Sequence, residues 1–147
     1  MSAASKRGAL AIDHGTLKWG FAITDALRIV TQPLPSFRGD ESAAFAYLKK
    51  LLDERDVDTL LVGLPLNMDG STGPRADDVL AFVGRLGARF PKLAIVTFDE
   101  RLTSKAADDL ARELGLSRDE RREWKDSLAA LALLRDWLAS GEPRARA

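Results

Sequence analysis

The chain contains no cysteine among its 147 residues and only one histidine, His14. Without cysteine there can be no disulfide framework, and no thiolate can act as a nucleophile or metal ligand. A single histidine also rules out a metal site built from several histidines. The length fits one domain over residues 1–147, with a core of about 8–140 and short tails at both ends.

An excess of charge of either sign is also missing, as are long hydrophobic runs. The 22 basic residues balance 22 acidic ones, which argues against a uniformly basic nucleic-acid-binding surface but permits a local basic patch beside an acidic pocket. No apolar stretch approaches the roughly 20 residues of a membrane span. The N-terminal MSAASKRGALAID lacks the apolar core of a signal peptide. We therefore expect a cytoplasmic protein that does not act in a membrane.

Short apolar runs alternate with amphipathic stretches along the chain. Three runs close in sequence predict an antiparallel meander of strands at 8–13, 19–25 and 28–32, the last ending before Pro33 and Pro35. Two buried-type strands follow at 58–64 and 93–98, with helices predicted at 40–55, 74–90, 104–114 and 118–140. This order predicts an α/β fold. Its mixed five-stranded sheet would have antiparallel strands 1–3, then parallel strands 4 and 5, with helices on its faces.

Acidic residues stand where two of the predicted strands end. Asp13 closes the first strand, and the apolar run LAIVTF runs into Asp99 and Glu100. Functional sites of open α/β sheets collect beyond the carboxyl ends of parallel strands. If strands one, four and five are parallel, these acids and the 63–73 loop emerge at one edge. The alternative is that each acid caps a helix or forms a weak, solvated pair with Arg101.

The last predicted helix supplies a further acid, Asp126. It is aligned with Leu133 and Trp137, which is an unusual position for a carboxylate; a solvated acid in the first exposed turn is the alternative. Three converging carboxylates could not all stay ionised without a counter-ion. Mg²⁺ is the hard cation that carboxylates, water and phosphate hold together. Two such ions about 4 Å apart can activate water and stabilise the leaving oxygen of a phosphodiester.

Four stretches together resemble the YqgF/RuvX family: DHGT at 13–16, GLPLNMDGSTGP at 63–74, DERLTS at 99–104 and KDSLAA at 125–130. They occur in the family's order and span nearly the whole chain. The family comprises bacterial RNase H-like proteins, described as Holliday-junction resolvases and as nucleases that mature the 5′ end of pre-16S rRNA. The resemblance implies an RNase H-like fold and a nuclease site with two divalent ions, Mg²⁺ or Mn²⁺.

By the same resemblance, the catalytic and metal-binding roles fall on Asp13, Glu100 and Asp126. The expected supporting residues are Asp99, Arg101 and Thr103. Trp19 departs from the family, whose members more often carry an aliphatic residue there. His14 stands at a variable position, so it receives no catalytic role.

The 63–74 loop is rich in turn-forming residues and leads from a buried strand into a helix. Backbone N–H groups at a helix start can bind a phosphate, although a long surface loop without a ligand is the alternative reading. We expect nucleic-acid contacts from this loop and from nearby basic residues, with Arg75 and Arg101 first among them. The full predicted set is Lys18, Asn67, Arg75, Arg101, Lys105 and Lys125.

The leading hypothesis is a nuclease for structured nucleic acid, either branched DNA such as a four-way junction or precursor rRNA. A two-fold homodimer would suit symmetric cutting of a junction. One alternative is a non-catalytic ribosome-assembly factor that binds nucleic acid. The presence of all three expected catalytic acids argues against it. Another is an actin-like ATP-binding phosphotransferase, because Asp13-x-Gly15-Thr16 also resembles the phosphate-binding turn of those proteins. They enclose ATP between two domains, and this chain has length for one.

Overall fold

The computed structural model describes residues 7–100 and 103–144, apart from the side chains of residues 103 and 104. The strands are β1 (Gly8–Asp13), β2 (Lys18–Thr24), β3 (Thr31–Arg38), β4 (Val57–Leu64) and β5 (Ala94–Asp99). The helices are α1 (Glu41–Glu54), α2 (Pro74–Arg89), α3 (Thr103–Glu113) and α4 (Arg118–Ala139). Their order is the predicted one, and the bounds agree to within one residue except at β3.

The five strands form one sheet in the order β3-β2-β1-β4-β5. β2 is antiparallel to both β1 and β3, whereas β1, β4 and β5 run parallel to one another. The predicted mixed sheet is thus confirmed. Because the three parallel strands end on the same side, Asp13, Leu64 and Asp99 all reach what we call the carboxyl edge of the sheet.

β3 differs from the prediction, which placed a strand over 28–32. Arg28 lies instead in the β2–β3 turn, with a φ of 60°, and the strand continues through both prolines. The prediction was wrong because it treated the prolines as a break. β3 is an edge strand that pairs with β2 alone, and an edge strand tolerates proline where the missing N–H would not face the partner.

The two faces of the sheet carry separate hydrophobic cores. Leu10 and Ile12 of β1 pack on the face that α1 and α2 cover, whereas Ala9 and Ala11 pack on the face that α3 and α4 cover. Alternate residues of a strand point to opposite faces, so this division follows directly from the sequence. The small side chains on the second face allow α4 to lie close against β1 and β2.

Local signals fix where the helices begin. The side chain of Asp40 caps α1 by accepting a hydrogen bond from the Ala43 backbone N–H, and Pro74 occupies the first turn of α2. Ser117 and Glu120 form the predicted capping box of α4. Of the helices in the described part of the chain, none is long and apolar enough to cross a membrane.

Candidate active site

A glycine brings α4 up to the end of β1. Asp13 lies opposite Gly20 of β2 in the antiparallel register, and residues that lie opposite share one face of the sheet. A Cβ atom on Gly20 would overlap the backbone carbonyl of Asp126. The backbone of α4 at Asp126 therefore packs directly on β2, one strand away from Asp13. Sequence reasoning did not single out Gly20, although a glycine inside a strand is a signal of such a close approach.

Ser127, the residue after Asp126, fixes this contact. Its buried hydroxyl accepts a hydrogen bond from the Phe21 backbone N–H at 3.2 Å and lies 3.2 Å from the hydroxyl of Ser36. These bonds connect α4 to β2 and β3. The part of α4 that carries Asp126 is thereby held at the carboxyl edge by hydrogen bonds as well as by the apolar core behind it.

Glu100 is the first residue beyond β5, and a second glycine gives it room. Its backbone N–H donates to the Leu64 carbonyl at 3.2 Å, so the ladder continues one residue past the strand. A Cβ atom on Gly63 would overlap the Glu100 carboxylate and would lie 3.1 Å from Leu133 of α4. The carboxylate thus lies over the Gly63 backbone, on the face that α4 covers. Gly63 was counted both in the predicted strand 58–64 and in the turn-rich 63–74 loop, and in the structure it belongs to β4.

The electrostatics of Asp13 connect it to the other two acids. Burial raises the pKa of Asp13 to about 8, and the charges of Glu100 and then Asp126 add to that rise. Burial likewise raises the pKa of Glu100 to about 7, with a smaller rise from the charge of Asp99. The charge of Glu100 opposes ionisation of Asp13. Residues far apart in sequence share one electrostatic environment at the carboxyl edge.

The chemistry of these acids fits a hard divalent cation. Asp13 is a buried carboxyl whose pKa the charges of Glu100 and Asp126 raise further, so nearby positive charge would favour its ionisation. Carboxylate oxygens are also the ligands that Mg²⁺ prefers. Their spacing is more open than a complete metal site, however. Within 7–100 and 103–144, no three Asp, Glu, His or Cys residues form a group that could hold a metal ion as the side chains stand.

Positive charge lies beside the acids. Asp13, Lys18, Arg75 and Asp126 line one opening of about 520 Å³ at the carboxyl edge. Arg75 donates to the His14 backbone carbonyl at 2.6 Å, and its charge lowers the pKa of both Asp13 and Glu100. The charge of Lys125 also lowers the pKa of Asp13. These three predicted nucleic-acid contacts therefore lie where a phosphate next to the acids would meet them.

His14 and Trp19 belong to the structural support of this edge. The His14 ring lies between Trp19 and Phe82, with ring centroids 5.0 and 4.5 Å away. Burial and, next, the charge of Arg75 lower the pKa of His14 to about 4, so the ring is neutral at pH 7. The indole N–H of Trp19 donates to the Gly39 carbonyl at 2.9 Å. Trp19, which the sequence left unexplained, is thus a buried packing residue.

The remaining predicted residues are less closely tied to the acids. Asp99 pairs with Leu64 in the sheet register and lines a groove with Phe98 and Leu110. Asn67 donates through its amide to the Ser71 hydroxyl at 3.0 Å, so it braces its own loop. Lys105 is exposed on α3. Arg101 and the side chain of Thr103 lie outside what the structure describes.

The sheet order and the helices on its faces define the chain as a protein of RNase H-like fold. A solved structure described as T. thermophilus RuvC in complex with Holliday junction substrate superposes with a TM-score of 0.60 at 15% identity, covering 94% of this chain and 98% of RuvC. At that identity the likeness shows the fold alone.

Sequence comparison identifies the family. Residues 7–140 match the family model RuvX, described as Holliday junction resolvase. A relative from Halalkalibacterium halodurans is 37% identical over 88% of this chain and 94% of its own length. Another from Rhodobacter capsulatus is 43% identical over 84% and 78%. Both carry the name "Putative pre-16S rRNA nuclease". The chain belongs to the RuvX family, which confirms the expectation of a hydrolytic nuclease.

Proposed function

We propose that this nuclease hydrolyses phosphodiester bonds in structured nucleic acid with the help of two divalent cations, Mg²⁺ or Mn²⁺, held by Asp13, Glu100 and Asp126. The observation that carries the proposal is the raised pKa of Asp13, to which the charges of Glu100 and Asp126 both contribute. A buried carboxyl whose ionisation two neighbouring acids oppose has an energetic reason to share a cation with them.

The chain's own residues would contribute position and charge. When bound, the cations would lower the pKa of an attacking water and offset charge on the phosphate. The close contacts at Gly20 and Gly63 hold two of the three acids at the carboxyl edge. Lys18, Arg75 and Lys125 would bind phosphates on either side of the cut bond, since positive side chains supply most of the affinity for a nucleic-acid backbone.

The substrate proposals follow from the family and from the curated relatives. The family is described as Holliday junction resolvase, and the relatives are named for pre-16S rRNA. Branched DNA and precursor rRNA are therefore both proposed substrates. Resolution of a four-way junction requires symmetric cuts in two strands, so that activity would call for a two-fold homodimer. Trimming of an rRNA 5′ end would need only one protomer.

A cleavage assay should offer a four-way DNA junction and a precursor rRNA with its 5′ leader side by side. We expect cleavage of at least one substrate with Mg²⁺ or Mn²⁺ and none in EDTA, because the acids need a cation to act. Paired cuts in the junction by a dimer would identify a resolvase, whereas a cut at the leader would identify an rRNA-processing enzyme. Binding to both substrates with no cleavage under any of these conditions would contradict the proposal.

One observation favours a second candidate, a non-catalytic factor that binds nucleic acid. In the described parts of the chain the acids do not form a closed group of three metal ligands. Such a factor would bind its nucleic acid equally well with Mg²⁺ and in EDTA and would leave both substrates intact. The same assay therefore separates the two candidates.

Gly63→Ala is expected to slow cleavage by about 100-fold, because the added methyl group would displace the Glu100 carboxylate and a shift of about 1 Å can cost that much. Overpacking should also lower the free energy of unfolding by about 1–3 kcal/mol. Single-turnover rates and urea denaturation measure the two effects. Gly84→Ala is the matched control, since no atom lies within 4 Å of its added Cβ. A Gly63→Ala enzyme as active as that control would contradict the role of Gly63.

A further inference from the structure

Leu17 is a large apolar residue exposed beside the acids. It lies in the turn between β1 and β2, and its side chain is 65% exposed. It lines the same opening as Asp13, Lys18, Arg75 and Asp126. A leucine in this position exposes apolar surface at the point where the proposed substrate would bind.

The backbone of this turn is fixed by three contacts. The Gly39 backbone N–H donates to the Leu17 carbonyl at 2.9 Å. A Cβ atom on Gly15 would overlap the Lys18 carbonyl, so the turn closes tightly on itself. On the other side, Arg75 donates to the His14 carbonyl. The turn thus presents Leu17 outward from a defined backbone position.

The neighbours of Leu17 indicate what it would contact. Lys18 and Arg75 suit phosphates, but a leucine side chain gains nothing from a phosphate. The apolar surfaces of a nucleic acid are the faces of its bases. Continuous stacking covers those faces, whereas an open step exposes them. Several DNA-binding proteins insert apolar side chains between bases at such steps.

Other exposed apolar residues in the described part of the chain lie in different surroundings. Met68 is 74% exposed, but it lines a groove with Asp99, Asp109 and other acids, which would repel phosphates. Leu27 is 58% exposed, but it lies in the β2–β3 turn at the opposite edge of the sheet. Leu17 differs from both because it shares its opening with cationic side chains and with two of the candidate catalytic acids.

We propose that Leu17 packs against an unstacked base next to the cut bond, so that the enzyme selects nucleic acid with an open base step over continuous duplex. This inference rests on the proposed function, since it deepens the same site. A DNA branch point and a single-stranded RNA leader share this chemistry. The unstacked base, and not the sugar, is the feature that Leu17 would recognise.

The test measures binding and base unstacking separately from cleavage. All variants carry Asp13→Asn, so that substrates bind without being cut. The probes are a four-way DNA junction and an RNA duplex with a single-stranded 5′ leader, each with 2-aminopurine at its open step. Matched continuous duplexes carry the same base internally. Leu17→Ala is compared with Leu17→Met, which keeps an apolar side chain, and with Leu27→Ala as the control.

We expect Leu17→Ala to weaken binding of an open substrate by about 5- to 10-fold, the loss that corresponds to burial of about half of a leucine side chain. It should abolish the change in 2-aminopurine fluorescence and leave duplex binding unchanged. Leu17→Met should restore both properties, and Leu27→Ala should alter neither. Whether the junction or the leader responds shows which nucleic acid supplies the open step.

Equal weakening on open substrate and duplex, or no weakening on either, would overturn the inference. Cleavage by the protein with Asp13 intact is scored independently. A Leu17-dependent fluorescence change without any cleavage would contradict the proposed nuclease activity but support packing of Leu17 against an unstacked base. Cleavage that is insensitive to Leu17→Ala, with unchanged affinities, would contradict the role proposed for Leu17 but support the nuclease activity.

Discussion

Replacing Glu100 with glutamine is expected to slow cleavage by about 1,000-fold or more. The substitution keeps the shape of the side chain that lies over Gly63 but removes its charge, and a neutral amide oxygen is a much weaker ligand for a hard divalent cation than a carboxylate. Asp13→Asn should have an effect of the same order, because its carboxyl is coupled to that of Glu100. Asp126→Asn completes the series. Single-turnover rates with saturating Mg²⁺, on whichever substrate is cut, measure the losses.

Asp99→Asn is the matched control for Glu100→Gln, since it removes a neighbouring charge from the same segment. The charge of Asp99 affects Glu100 but is not among the main influences on the pKa of Asp13. We therefore expect less than about a 10-fold loss from this control, within the range of an indirect electrostatic contribution. Full activity in any two of the variants at positions 13, 100 and 126 would overturn the assignment of these three acids.

Much of the fold follows from the sequence because hydrophobic periodicity is a local property. The apolar runs that end at Asp13 and Glu100 are strands of the sheet, β1 almost fully buried and the edge strand β5 partly buried. The parallel arrangement of β1, β4 and β5 brings both acids to one edge. The bounds of β3 could not be predicted from the sequence in the same way. Whether a proline ends a strand depends on whether a partner lies on its N–H side, which is a property of the whole sheet.

The site was predicted less completely than the fold. Residue type and family resemblance suggest the acids, but they do not show why the acids can approach each other. That reason lies at Gly20 and Gly63, where the missing side chains admit the α4 backbone and the Glu100 carboxylate. Arg75 was predicted only as a phosphate contact. Its bond to the His14 carbonyl joins α2 to the turn after β1, which depends on tertiary packing and has no local signal.

The raised pKa values predict that the metal-free protein loses stability as the pH rises from 6.5 to 8.5. The folded state holds protons on Asp13 up to about pH 8 and on Glu100 up to about pH 7. The unfolded state has released both protons by pH 6.5, because its carboxyls ionise near their ordinary values. Folding then binds protons, so stability falls with increasing pH across this window. The loss is complete only well above pH 8, where both carboxyls are ionised in the folded state.

Other groups with shifted pKa values contribute little to the change in stability between pH 6.5 and 8.5. Glu41 and Glu120 have lowered pKa values, so their stabilising effect is lost only when the pH falls through the acidic range. His14, whose pKa is lowered to about 4, adds stability as the pH rises toward its ordinary value of 6.5 and then no more. Below pH 6.5 this increase in stability would offset the decrease that Asp13 causes. Above pH 6.5 the two acids dominate.

We expect the free energy of unfolding to drop by about 2 kcal/mol between pH 6.5 and 8.5 in EDTA, the equivalent of about one and a half pKa units. In thermal melts this corresponds to about 4–8 °C for a chain of this size. Asp13→Asn should flatten the dependence and should be more stable than wild type at pH 8.5. Mg²⁺ should restore wild-type stability but not change the variant, because a cation that binds only the folded state stabilises it. If the free energy of unfolding depended equally on pH in the two proteins, the pKa of Asp13 would not be raised in the folded state. The argument for a cation between these acids would then fail.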